Sequence, residues 1–91
     1  MEPLHLRESR GPMRVLVVED DPALGRLIQL VLAQHFSEVR LAKSGAEAIA
    51  ELTAGHFDAV ASDISLPDMS GLDVIAEARK LAPAAGIVAI T

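Results

Sequence analysis

The sequence predicts an α/β fold, a doubly wound parallel sheet with helices on its faces, and three observations predict it. Short apolar runs of strand length alternate with longer segments whose apolar residues recur three and four apart. The first run, Val15-Leu16-Val17-Val18, is continuously apolar, as befits a strand covered on both sides. Two of the runs stop in acid: Glu19-Asp20-Asp21 follows the first, and Asp63 follows Ala59-Val60-Ala61-Ser62. Charge at the end of a buried strand is tolerated only where something compensates it.

The elements follow in order. Residues 1–12 have no periodicity and include Gly11-Pro12, so they read as a flexible extension before a domain covering residues 13–91. A first strand is expected over about 14–18. A first helix follows, with Asp21 as N-cap, Pro22 at the first helical position, and Leu24, Leu27, Ile28, Val31 and Leu32 on one stripe expected to be core. A short second strand, about 38–42, alternates Val39 and Leu41 with Glu38 and Arg40. Ser44-Gly45-Ala46-Glu47 fits a capping box opening a second helix, with Ala48, Ile49 and Leu52 inward and Gly55 as terminator. A third strand is expected over about 58–62. Ser70-Gly71-Leu72-Asp73 resembles a second capping arrangement before a third helix, which ends near Leu81 ahead of Pro83. Gly86-Ile87-Val88-Ala89-Ile90-Thr91 supplies a fourth strand.

Composition narrows the class. Ninety-one residues make one domain, and a chain of this size buries only about 60–65% of its unfolded surface. Hydrophobic residues make up 51% of it and aromatics 2%, so the core must come from Val, Ile, Leu and Ala. With no cysteine there is no disulfide framework and no thiol chemistry, which fits a cytoplasmic setting. No apolar run reaches the ~18 residues of a membrane span. The net charge of −5 and only eight Lys and Arg argue against direct binding of nucleic acid. His5, His35 and His56 are assigned no chemistry.

Right-handed crossovers leave few ways to connect such elements. In the flavodoxin-like order, 2-1-3-4 for the strands present here, the ligand crevice lies outside the carboxyl ends of strands one and three. Those strands end in Glu19-Asp20 and in Asp63, so positions more than forty apart should meet in one acidic pocket. Clustered carboxylates repel unless protons or a cation offset them, and oxygen ligands alone suit a hard cation such as Mg²⁺. A metal that keeps positions open for phosphate invites phosphoryl transfer, and an ionised Asp63 can be the nucleophile without a general base. Thr91 would place a hydroxyl at the same rim. Asp21 reads as a cap, and Asp68 and Asp73 read as loop and helix-start residues.

These residues resemble the receiver domain of two-component response regulators over about residues 13–91. In VLVVEDDP, Glu19 and Asp20 match the acidic metal-binding pair. In DAVASDISLPDMSGLDVI, Asp63 matches the phosphoacceptor, Ser65 the residue whose backbone carbonyl completes the metal site, Pro67 the loop proline and Gly71 the loop glycine. Thr91 matches the switch hydroxyl. The resemblance implies Mg²⁺, a sensor histidine kinase or phosphotransfer protein as donor, and a change of surface passed to a partner or an output domain. The domain would be a phosphoacceptor, not an enzyme in its own right.

Family members continue through a fifth strand, bearing a lysine, and two more helices, whereas this sequence stops at Thr91. Lys43 and Lys80 are not placed to substitute for that lysine, so a fragment of a longer regulator is expected. The bare apolar strand GIVAI predicts a dimer through strand four. The alternative function is a phosphorylation-independent interaction module of the same fold. A phosphohydrolase with an aspartyl nucleophile ranks last, because the position two after Asp63 is Ser65, not a second acid.

Overall fold

The computed structural model describes residues 13–90. The extension expected over residues 1–12 and the hydroxyl of Thr91 lie outside the described residues. The elements are β1 (Arg14–Val18), α1 (Pro22–Leu32), β2 (Glu38–Ala42), α2 (Gly45–Ala54), β3 (Ala59–Asp63), α3 (Gly71–Leu81) and β4 (Gly86–Ile90). The strands form one parallel sheet in the order β2-β1-β3-β4, with Val18 beside both Ala42 and Ser62, and Asp63 beside Ile90.

The central strand sets the layers. Successive side chains of β1 point to opposite faces. Leu16 and Val18 pack with Ala48 and Leu52 of α2, Val74 and Ala78 of α3, and Val60 and Phe57, which together form the core. Val15 and Val17 are also buried, on the side where α1 crosses β1 and β2. The continuous apolar run is thus explained by cover on both faces.

Helix starts follow the expected caps, with one variation. Asp21 Oδ1 accepts from the amides of Ala23 (2.9 Å) and Leu24 (3.3 Å). Ser44 Oγ accepts from Glu47 N at 3.1 Å, and Ser70 Oγ from Leu72 N at 3.1 Å. The Glu47 carboxylate, however, reaches past Ser44 to the Lys43 amide at 2.9 Å. No helix among the described residues is long and apolar enough to cross a membrane.

Two expectations need correction. The third strand starts and ends one residue later than expected, its pairing with β1 and β4 beginning at Ala59; Asp58 just before it bonds Arg14 through its amide and its Oδ2, the latter at 2.7 Å, and accepts from Gly86 N at 2.9 Å. Only Ile28 and Leu32 of the α1 stripe turn to the sheet. Leu24, Leu27 and Val31 are 41%, 58% and 52% exposed, whereas Gly25 is buried and Ile28, Gln29 and Leu32 are half-buried. The sheet-facing set is therefore 25, 28, 29 and 32. Among the described elements α1 packs only on β1 and β2, so the flank of its apolar stripe has no neighbour to cover it.

Candidate functional site

At the carboxyl edge of the sheet, β1 and β3 deliver their acids to one place. The Glu19 amide donates to the Ala42 carbonyl at 2.9 Å, which carries the β1–β2 ladder one residue past the strand and fixes where the acidic pair begins. One carboxylate oxygen from each of Glu19, Asp20 and Asp63 lies within 4.8 Å of the others. Glu19 is buried, Asp63 half-buried and Asp20 exposed, so the cluster opens to solvent on the Asp20 side.

The electrostatics of the cluster are uncompensated. Burial pushes the Glu19 carboxyl above its ordinary pKa; the Asp21 amide opposes this, and the negative charges of Asp63 and Asp20 add to the rise. That amide donates to Glu19 Oε2 at 3.2 Å, while Oε1 is buried without a hydrogen-bond partner. Among the described residues no Lys, Arg or His forms an ion pair with these three carboxylates. A buried carboxylate with one unshared oxygen, clustered with two further carboxylates, is a donor set that a hard cation fits.

Asp63 is held from its own loop. Its Oδ1 accepts from the Ser65 amide at 3.0 Å, and Ser62 Oγ, fully buried, donates to its carbonyl at 3.1 Å. Gly71 N donates to the Ile64 carbonyl at 2.7 Å, and Ser65 pairs with Ser70 as an antiparallel bridge. The loop 64–70 is thereby closed at its base, with Pro67 exposed at its turn. A Cβ at Gly71 would overlap the Asp63 carbonyl oxygen, so the glycine answers a close backbone approach.

Asp21 stands where expected, as the α1 cap. Lys43 is exposed beside the first turn of α2, and Lys80 pairs with Glu77 on α3 at 3.5 Å. Asp68 does more than sit in its loop. Its carboxylate accepts from the Gly45 and Ala46 amides at the start of α2, a contact that no local spacing rule could have found.

Residues 15–91 match the family model of the response regulator receiver domain. The chain belongs to that family. The transcriptional regulatory protein TrcR of Mycobacterium tuberculosis is 38% identical over 74 residues, and the probable transcriptional regulatory protein TcrX of the same organism is 36% identical over 87. These matches cover 81% and 94% of this chain but only 29% and 37% of those regulators. Among solved structures, the response regulator TrrA of Thermotoga maritima, in complex with Mg²⁺-BeF, superposes with a TM-score of 0.76 at 37% identity, covering 82% of this receiver domain and 65% of that chain. The adenylate cyclase of Rhodopirellula baltica contains a similar unit, with a TM-score of 0.81 at 32% identity over 88% of this chain and 59% of its own.

Proposed function

We propose that this receiver domain accepts a phosphoryl group on Asp63 in a Mg²⁺-dependent reaction and passes the resulting change to a partner or an output domain. The observation that carries the reading is the convergence of Glu19, Asp20 and Asp63, in which the buried Glu19 keeps one oxygen, Oε1, without a partner. The Mg²⁺-BeF complex of TrrA, at 37% identity, supports it.

Glu19, Asp20 and Asp63 would hold the metal, with the Ser65 backbone carbonyl as a further oxygen ligand. Bound there, Mg²⁺ would offset the charge of the cluster and of the phosphoryl oxygens. The rest falls to the chain itself. The Ser65 amide engages Asp63 Oδ1 and so orients the carboxylate, leaving Oδ2 to attack. An O–P bond forms at Asp63 as the donor's N–P bond breaks, and the electron pair departs with the imidazole of a phosphohistidine. An ionised carboxylate needs no base for this step. The donor class is a sensor histidine kinase or phosphotransfer protein, the setting is cytoplasmic, and Thr91 would supply the hydroxyl that responds to the phosphoryl group.

The test uses acetyl phosphate and Mg²⁺, with phosphoprotein read by intact mass. Wild type should be labelled, Asp63→Asn should not, and Asp20→Asn should require more Mg²⁺. Equal labelling of wild type and Asp63→Asn would overturn the assignment.

A further inference from the structure

The first turn of α2 divides its free amides between two sources. Glu47 N turns to the Ser44 hydroxyl at 3.1 Å, and the next amide, Ala48 N, already makes the first ordinary helix bond, to the Ser44 carbonyl at 3.1 Å. Gly45 N and Ala46 N instead donate to Oδ1 and Oδ2 of Asp68, at 2.8 and 2.9 Å. That carboxylate arrives from the loop between β3 and α3, 22 and 23 residues further along the chain. The same two amides hold the Asp68 carboxyl below its ordinary range, so the contact is made by the ionised form.

The loop is attached at both ends of its reach. Its base is closed by the Ser65–Ser70 bridge and by the Gly71 amide on the Ile64 carbonyl, and it presents the Ser65 amide to Asp63. Its tip rests on α2: beside Asp68, the Met69 side chain lies so close to Gly45 that a Cβ there would overlap it. Ser44 Oγ serves the Glu47 amide alone, so the Asp68 carboxylate satisfies two further first-turn amides and, because it comes from a remote loop, ties that loop to the helix.

We propose that Asp68 is a positioning residue: by bonding the Gly45 and Ala46 amides it holds the 64–70 loop against α2, fixes the Ser65 backbone beside Asp63, and thereby sets the cation affinity of the acidic cluster. This rests on the reading of Glu19, Asp20 and Asp63 as a Mg²⁺ site. Groups that orient metal ligands without touching the ion typically change its affinity by about 10–100-fold.

The experiment compares wild type, Asp68→Ala, Asp68→Asn and Ser44→Ala in the full chain. Mg²⁺ binding is measured by titration calorimetry, and hydrogen exchange of the Ser65 and Gly71 amides by NMR without metal. Ser44→Ala is the control, because it removes a cap from the same helix while leaving the loop's tie intact. Asp68→Ala should weaken Mg²⁺ binding by about tenfold and speed exchange at both amides. Asp68→Asn, which keeps one carbonyl acceptor, should fall between, and Ser44→Ala should match wild type in both readings despite lower thermal stability. Equal effects of Asp68→Ala and Ser44→Ala, or none from Asp68→Ala, would overturn the proposal. Should wild type take up no Mg²⁺, the metal reading fails by itself, and amide exchange still decides: loosening in Asp68→Ala alone upholds the positioning role, and equal exchange ends it.

Discussion

Gly71 lies directly against the backbone of Asp63, with no room for a Cβ between the first turn of α3 and the Asp63 carbonyl oxygen. The helix that follows the loop is thus packed onto the backbone of the residue proposed to carry the phosphoryl group. Neither backbone can yield without moving the strand end or the helix start.

Gly71→Ala should therefore destabilise the domain by about 3 kcal/mol, as overpacking against rigid atoms does. Gly25 offers the contrast. A Cβ there would meet Glu19 side-chain atoms at 3.8 Å, an ordinary contact, and the residue sits inside α1. Gly25→Ala should stabilise by about 0.5–1 kcal/mol through helix propensity. Urea unfolding of both variants checks the pair, and similar losses in both would show that the close approach at Gly71 is not what constrains it.

Glu19 bears a cost in the metal-free chain, since one of its oxygens is buried and unpartnered beside two other carboxylates. Glu19→Gln removes that charge. Without Mg²⁺ it should raise stability by on the order of 1 kcal/mol at neutral pH. With Mg²⁺ the order should reverse, because wild type gains binding energy that the variant forfeits. Thermal melts with and without Mg²⁺ would reveal the crossover; a variant less stable under both conditions would count against it.

How much of this was legible in the sequence depends on the range of the physics involved. The caps at Asp21, Ser44 and Ser70 act over two or three residues, so spacing found them. The meeting of Glu19 and Asp20 with Asp63 spans more than forty residues, yet it too was legible, because parallel strands with right-handed crossovers have few arrangements. Asp68 was not legible: its partners lie 22 and 23 residues earlier in the chain, and nothing in a loop's composition says which helix it touches. In α1 the periodicity correctly indicated a helix and put Ile28 and Leu32 on the sheet side, but it also put Leu24, Leu27 and Val31 there, which are exposed. An apolar stripe records which residues share a face, whereas burial depends on which elements pack beside it.

Acidification should act on two carboxyls with opposite sign. Asp58 has its pKa lowered, first by the Arg14 amide and then by His56, so its stabilising contribution is present above its usual 3.8 and fades as pH falls through the lowered value. Glu19 has its pKa raised, so its contribution is present below its usual 4.5 and is lost as pH rises through the raised value. Asp58→Ala should cost about 1.5–3 kcal/mol at pH 7, and the difference from wild type should shrink in strong acid. The Glu19→Gln advantage should instead vanish on going down toward pH 4.5. Denaturation at several pH values separates the two, and parallel pH profiles for both variants would refute the assignment of opposite shifts.

The exposed flank of α1 can be weighed against the core by truncating the same residue type in both places. Leu16 is fully buried in the middle of β1, against side chains of α2 and α3. Leu16→Ala removes methyl groups from a packed site that cannot collapse around the space, so a loss of about 2–5 kcal/mol is expected. Leu27 is 58% exposed on α1, away from the buried Gly25 side. Its truncation gives up little burial and gains helix propensity, so Leu27→Ala should remain within about 0.5 kcal/mol of wild type. Chemical denaturation at one protein concentration suffices for the comparison. A loss at Leu27 approaching that at Leu16 would mean the flank is buried in solution, and the same measurement repeated at tenfold dilution would show whether a second copy of the chain covers it.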